Sequence, residues 1–460
     1  MNILETDVAI IGAGTAGMTA YRAVKSAGRK AVLIESGPYG TMCARVGCMP
    51  SKLLIAAADA AHAVQHAAPF GVRIDGQTRV DGRQVMDRIK RERDRFVGFV
   101  LESINAMPAE EKLRGRASFL SDNLLQVGDN VQVKAASTVV ATGSAPFVPD
   151  MYKPLGDRLV VNDDVFSWDD LPRRVLVVGT GPLGLELGQA LARLGVEVSV
   201  LGRGDGLGGI SDPVVKASAL GAFQAEFDLR LNTEVLEAVR KGDEVEVRFA
   251  SKESEETTAR YDYVLMAAGR PPVLEGLQLQ NTSAKLDDKG MPRLDVSTLQ
   301  VEGTPIFMAG DVNGTRPLQH EAADDGRVAG ANAARFPDVQ ARKGRAPLSI
   351  VFTDPQIAHA GAFFRTLPKD AVVGKVDFEN QGRSRIMLRN RGKLRVYAEP
   401  GSGRFLGAEM VGPAAEHIGH LLAWAVQAEL TVGQMLEMPF YHPVIEEGLR
   451  TALRDAAKQI

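Results

Sequence analysis

Two cysteines and two tryptophans are all that the 460 residues contain of either kind. So few thiols exclude the disulfide framework that staples small secreted domains. Neither sign of charge prevails: 54 Lys and Arg stand against 57 Asp and Glu, a net charge of −3, which speaks against a general polyanion or nucleic-acid binder. No segment approaches the ~18 uninterrupted apolar residues of a membrane span. The opening MNILETDVAIIG has no basic stretch ahead of an isolated apolar one. The expectation is a cytoplasmic protein, neither exported nor membrane-bound. At roughly 150 residues per domain, the length suits about three.

What is present is glycine, 47 in all, and some of it stands in two matching patterns. Residues 6–11, TDVAII, form an apolar run ending in Gly12-Ala13-Gly14-Thr15-Ala16-Gly17, followed by a helical stretch to about Ala27 and a second run over 30–35. The order recurs at 174–178, Gly179-Thr180-Gly181-Pro182-Leu183-Gly184, a helix through Leu194, and 197–201. Strand, glycine turn, helix, strand is a βαβ unit. In such a unit the first Gly permits the tight turn, the second lets main chain approach a pyrophosphate, and the third lets helix and strand pack closely. The phosphates then meet the free N–H groups of the helix N-terminus. Two units predict two dinucleotide sites, one at Gly12, Gly14 and Gly17, the other at Gly179, Gly181 and Gly184.

Glu35 closes the second strand of the first unit, where a carboxylate accepts both ribose hydroxyls of an adenosine; the plainer alternative is a Glu that caps a strand. At the same offset in the second unit stands Gly202, with Arg203 beside it. No acid is there to bind a 2′-hydroxyl or repel a 2′-phosphate, which leans toward NADP over NAD. An exposed Arg203 with no ligand remains the rival reading.

Between and beyond the units, helices are predicted over 49–67 and 81–106. The second sets KRERDR against Val85, Ile89, Phe96, Val100 and Ile104. Strands are expected over 117–140, before Ala141-Thr142-Gly143-Ser144, over 264–268, before Gly269-Arg270, and over 302–311, followed by a helix over 319–335. From about Arg345 the texture changes to short strands around 349–353, 372–378, 393–398 and 405–411, then helices from 413 and from 443. The fold class is α/β, with two Rossmann-like dinucleotide-binding domains plus an α+β C-terminal domain.

Cys43 and Cys48 share one six-residue window after the first unit's second strand. On a regular helix, residues five apart have Cα atoms about 8.6 Å apart, whereas a disulfide wants roughly 4.4 to 6.8 Å. To bridge, the segment must be irregular between them, and Gly47 supplies the freedom. A strained bridge is easily reduced, which favours redox use over a strut. Two buried thiols, or a metal site short of ligands, are the alternatives. His417 and His420 share a helix face without a further ligand, so no metal site is expected.

The stretch Gly40-Thr41-Met42-Cys43-Ala44-Arg45-Val46-Gly47-Cys48-Met49-Pro50-Ser51-Lys52 resembles the redox segment of the FAD-dependent pyridine nucleotide disulfide oxidoreductases. GAGTAG, ATGS, GTGPLGLE, AAGRPP, MAGD and His442-Pro443 fall in that family's order, and the likeness is greatest to members that oxidise dihydrolipoamide. The resemblance implies an FAD-binding domain over 1–148, an NAD(P)-binding domain over 149–272, a central segment over 273–343 completing the FAD site, and a dimerisation domain over 344–460. It makes Cys43 the interchange thiol, Cys48 the charge-transfer thiol, and Lys52 the flavin-side lysine paired with Glu186. Asp311 would hold the ribityl chain; Thr41, Ala117, Thr142, Gly143 and Gln319 would line FAD; Val235 and Gly269 would lie beside NAD or NADP.

A dithiol exchange needs a group to take a proton from the incoming thiol, since thiolate is the nucleophile. Histidine suits that work near neutrality. His442 and Glu447 match the family's base and its orienting acid. A helical i, i+5 pair would diverge by about 140°, so His442 must lie off the helix; the bland reading is a packed histidine at a turn. The resemblance implies a homodimer in which His442 serves the other subunit's cysteines, a substrate such as dihydrolipoamide or another small dithiol or disulfide, and a place in a 2-oxoacid dehydrogenase complex. The alternatives are an NADPH-dependent disulfide reductase of the glutathione reductase type and a nucleotide-binding partner protein without turnover. Two departures from the family stand out: Ala44-Arg45 replaces the usual Leu-Asn, and Val444 and Glu446 stand where the C-terminal motif carries hydroxyls.

Overall fold

A computed structural model describes residues 2–76, 78–251 and 254–460. The chain divides into two compact units, the first built from 1–50, 88–147 and 270–344, the second from 51–87, 148–269 and 345–460.

The first unit is organised by β1 (Asn2–Ile11), α1 (Thr15–Ser26) and β2 (Ala31–Glu35). β1 lies parallel between β2 and the strand Val131–Val140, and the latter pairs in parallel with Ile306–Met308 on its far side. Strands covered on both faces read as unbroken apolar runs, which is why TDVAII carries no alternation. Val8, Ile10, Leu33, Val139 and Phe307 enter one core, while Ala9, Ile11, Val32, Ile34 and Val140 enter the other. Each fully buried aliphatic side chain contributes about 1.5–3 kcal/mol. α1 packs on the helix Gln319–Arg335 with its backbone so near that side chains at Gly326 or Gly330 would strike the main chain at Ala16 or Ala20.

The second unit holds a five-stranded parallel sheet in the order Asp228–Arg230, Glu197–Leu201, Arg174–Val178, Tyr263–Met266, Leu159–Val160. Beside it is an antiparallel sheet of Thr233–Lys241, Glu244–Ser251 and Ser254–Tyr261, which the sequence reading did not anticipate. A second antiparallel sheet, Leu348–Val351, Gln356–Gly361, Phe405–Gly412, Lys393–Ala398 and Val372–Asp377, is covered by helices Ala415–Gln427 and Glu447–Ala457. The mixed α/β architecture is therefore as expected. The last helix starts at Glu447 rather than 443; the Glu447 carboxylate accepts from the Val444 N–H at 3.4 Å, and Gln381 holds the Val444 carbonyl at 2.8 Å.

Candidate active site

The two glycine turns are built alike. A Cβ on Gly12, at φ +105°, would collide with the Ala141 carbonyl, and one on Gly17 with the Gly12 carbonyl. Gly179, at φ +125°, and Gly184 stand in the same relation to Ala267 and Gly179. The middle glycines face open space: nothing lies within 4 Å of a side chain built at Gly14 or Gly181. Neither capping glycine brings a side chain to the first N–H groups of its helix, so those donors suit phosphate oxygens. Glu35 accepts from Ala13 N at 2.7 Å and Gly37 N at 2.6 Å, which fixes its carboxylate at the mouth of the first turn.

α2 (Met42–Val46) and α3 (Cys48–Gln65) are separated by Gly47 alone, at φ −125°, ψ −113°. This is the irregularity that the cysteine spacing predicts. A Cβ at Gly47 would sit 3.2 Å from Met42 O and 3.3 Å from Cys43 Cα, so the break is packed tightly over Cys43. Both cysteines are half-buried, Cys43 within α2 and Cys48 opening α3. Thr41 caps α2, its hydroxyl accepting from Ala44 N at 3.2 Å. Cys43 and Thr41 face a cavity of 460 Å³ whose walls include Met18, Arg22, Phe96 and Gln319. The sequence reading placed Phe96 on a helix's apolar face but missed that this face opens beside a thiol.

Elsewhere in the first unit, Asp311 accepts from the buried Ser144 hydroxyl at 2.7 Å, and Thr142 Oγ1 donates to the Val273 carbonyl at 2.7 Å. Gly143 takes up φ +73° between them, and Ala117 is buried in the strand Ala117–Ser121. Arg270, which sequence reasoning passed over, donates to Ser144 O at 3.0 Å and lies 2.7 Å from Met42 Sδ.

In the second unit Lys52 Nζ meets Glu186 Oε2 at 2.6 Å, as the resemblance implied. Phe352 N donates to the other oxygen at 2.9 Å, and its ring lies under the ammonium at 4.4 Å. Seven residues along each helix the pairing repeats: Arg193 reaches Asp59 at 3.0 Å and also holds Glu226 at 3.0 Å and Asp354 at 3.1 Å. Arg203 and Gly269 are exposed, and Val235 is half-buried in Thr233–Lys241.

His442 lies outside the last helix, its side chain 80% exposed, with Nδ1 3.0 Å from Glu447 Oε2. An ionised carboxylate only accepts, so Nδ1 carries the proton and Nε2 keeps its lone pair. The hydrogen bond from His442 holds the Glu447 carboxyl below its ordinary range, and Arg450 meets its other oxygen at 2.9 Å.

The first unit thus holds a dinucleotide cradle and two half-buried thiols, and the second a dinucleotide cradle and an exposed His–Glu pair. Residues 6–326 match the family described as pyridine nucleotide-disulphide oxidoreductase, and 348–453 match that family's dimerisation domain. A dihydrolipoyl dehydrogenase of Haloferax volcanii is 30% identical over 99% of this chain and 97% of its own length. That of Bacillus subtilis is 29% identical over 97% of each. In structure, the Cu(II) complex of the HOCl-induced flavoprotein disulfide reductase RclA from Escherichia coli superposes with a TM-score of 0.83 at 21% identity, covering 99% of both chains, a likeness of fold. The chain belongs to the pyridine nucleotide-disulphide oxidoreductases, enzymes that use FAD and NAD(P), and it carries their dimerisation domain. Among the described residues no helix is long and apolar enough to cross a membrane.

Proposed function

We propose that the protein exchanges electrons between a small dithiol, of which dihydrolipoamide is the first candidate, and a nicotinamide nucleotide, as a cytoplasmic homodimer in which His442 serves the partner subunit's cysteines. The observation that carries this is the His442–Glu447 pair, an exposed imidazole with its basic nitrogen turned outward. The cradles at Gly12–Gly17 and Gly179–Gly184, with Glu35 at the first, are assigned to FAD and to the nucleotide respectively. FAD, which the Gly12–Gly17 turn and Glu35 would hold, would supply the two-electron relay between the cysteine pair and the nicotinamide.

His442 removes the proton of the substrate thiol, and the thiolate attacks Cys43 of the Cys43–Cys48 bridge, expelling Cys48 as thiolate. The substrate's second thiol then displaces Cys43, so the substrate leaves as a disulfide and two electrons remain on the cysteines. Glu447 holds the imidazolium that forms. Lys52, fixed by Glu186 and Phe352, places a positive charge one turn along the helix that Cys48 opens. A second reading, reduction of a disulfide by NADPH, is favoured by Gly202-Arg203. A place in a 2-oxoacid dehydrogenase complex rests on the likeness to dihydrolipoyl dehydrogenases.

Anaerobic addition of NADH or NADPH is expected to bleach the yellow enzyme, with dihydrolipoamide turned over faster than glutathione disulfide is reduced. Cys48→Ser should abolish the long-wavelength band of the two-electron-reduced enzyme. No bleaching with either nucleotide overturns the enzyme reading, and glutathione disulfide as the better substrate overturns the choice of direction.

A further inference from the structure

Eleven residues join the strand Glu197–Leu201 to the helix Pro213–Gln224, and five of them are glycine: Gly202, Gly204, Gly206, Gly208 and Gly209. Glycine loses more backbone freedom on ordering than any other residue, so a loop of this composition is fixed only by what it is tied to. The loop begins where the second βαβ unit would receive the adenosine end of its nucleotide. Midway it is tied to the glycine turn, Gly206 O accepting from the Thr180 hydroxyl at 2.6 Å and Gly208 N donating to Thr180 O at 2.8 Å.

Its far end is tied to the C-terminal sheet. Glu409, on the strand Phe405–Gly412, is 1% exposed. One of its oxygens accepts from Ser211 N at 2.6 Å and Asp212 N at 3.0 Å; the other accepts from the Ser211 hydroxyl and from Phe364 N at 2.9 Å. Asp212 is fully buried, caps the following helix through Val214 N at 2.9 Å, and accepts from the Tyr397 hydroxyl at 3.0 Å. Arg395, opposite Glu409 in the strand register, lies 3.1 Å from Asp212. Burying a carboxylate is costly unless donors satisfy it. Three of the four donors to Glu409 come from 211–212, so what its burial accomplishes is the ordering of that end of the loop.

We propose that Glu409 is a positioning residue for the nicotinamide nucleotide: by holding the end of the glycine-rich loop it orders the adenosine subsite in advance, and nucleotide binding is spared that entropy. It acts on affinity for NADH and NADPH alike and does not choose between them. This rests on the assignment of the second unit as the nicotinamide nucleotide site.

The test is calorimetric titration of the FAD-loaded enzyme with 5′-AMP, alongside stopped-flow reduction of the flavin by NADH, by NADPH and by dihydrolipoamide. Glu409→Gln turns an amide donor against main-chain donors, and it should weaken 5′-AMP binding about tenfold. The half-saturating concentration of both nucleotides should rise by the same factor with limiting rates held, while reduction by dihydrolipoamide stays within about twofold. Gly206 is not left-handed and a Cβ there meets nothing within 4 Å, so Gly206→Ala stiffens the loop without strain. In the Glu409→Gln enzyme it should recover severalfold of the lost affinity, which a mere loss of packing would not allow. Should Glu409→Gln fail to fold, Ser211→Ala, which removes one donor, should raise the 5′-AMP dissociation constant about threefold. Unchanged 5′-AMP affinity in the variant, or equal losses in the nucleotide and dithiol half-reactions, overturns the proposal while the functional assignment stands. No recovery by Gly206→Ala overturns the ordering role. Failure of the unaltered enzyme to bind 5′-AMP, with no bleaching by NADH or NADPH, overturns the nucleotide-site assignment and this proposal together.

Discussion

His442 is held by one hydrogen bond on an otherwise exposed side chain, so its loss should cost chemistry and little stability. His442→Ala is expected to slow dithiol turnover by about 10²-fold or more, while stopped-flow reduction by the nicotinamide nucleotide stays nearly intact. Equal loss in both half-reactions would mean that the ring does something other than accept the thiol proton. Glu447→Gln should act in the same direction more weakly, since the amide can still orient the ring but leaves the imidazolium without its counter-charge.

Two helices, α3 and Pro182–Arg193, are joined by rungs seven residues apart, Lys52 to Glu186 and Asp59 to Arg193. The segment at Phe352 and Asp354 runs alongside, bonded to Glu186, Gln189 and Arg193 in turn. Arg193 is 7% exposed and serves three carboxylates. Arg193→Met should therefore lower unfolding free energy by about 3–5 kcal/mol, the cost of leaving buried charge uncompensated, as read by urea denaturation; under 1 kcal/mol would show these pairs to be solvent-screened. Sequence reading found the Lys52 rung only through motif resemblance and the Arg193 rung not at all, because its partners stand 33, 134 and 161 residues away with no motif to join them. The glycine turns were readable because their steric demand is local: Gly12 and Gly179 answer to a turn that four or five neighbours already announce. The antiparallel sheet beside the five-stranded parallel one escaped notice although Glu244–Ser251 carries the signal, Val245, Val247 and Phe249 alternating inward; Thr233–Lys241, mostly exposed, lacks it.

At the scale of the whole molecule, acid should loosen the second unit. His359 is buried between strands and burial pushes its pKa down to about 4, with Phe363 stacked on the ring at 3.5 Å. The folded state thus keeps the ring neutral where an unfolded chain, titrating near 6.5, would already bind a proton. Stability from this group is complete above about pH 6.5 and is lost progressively as pH falls toward 4, by up to roughly 3 kcal/mol. His359→Gln should flatten that part of the pH dependence in urea unfolding series between pH 7 and 4.5. An unchanged slope would place the acid sensitivity elsewhere. The broad organisation was legible in the sequence because each unit repeats one simple βαβ pattern, while the helix-borne Met18, Arg22 and Phe96 that line the Cys43 cavity were not, since nothing local distinguishes them from residues of an ordinary helix face.

The strand Ile306–Met308 pairs with Val131–Val140, although residues 148–269, which belong to the other unit, are threaded between them. A ribosome must therefore have polymerised through Met308 before this sheet can close its last seam. Until then the nascent chain carries an unpaired edge at Thr138–Val140, Val131–Lys134 being already joined to Leu124–Val127, so chaperone demand during synthesis should fall on the chain ahead of residue 306, and truncations before that residue should aggregate rather than yield a free-standing flavin domain.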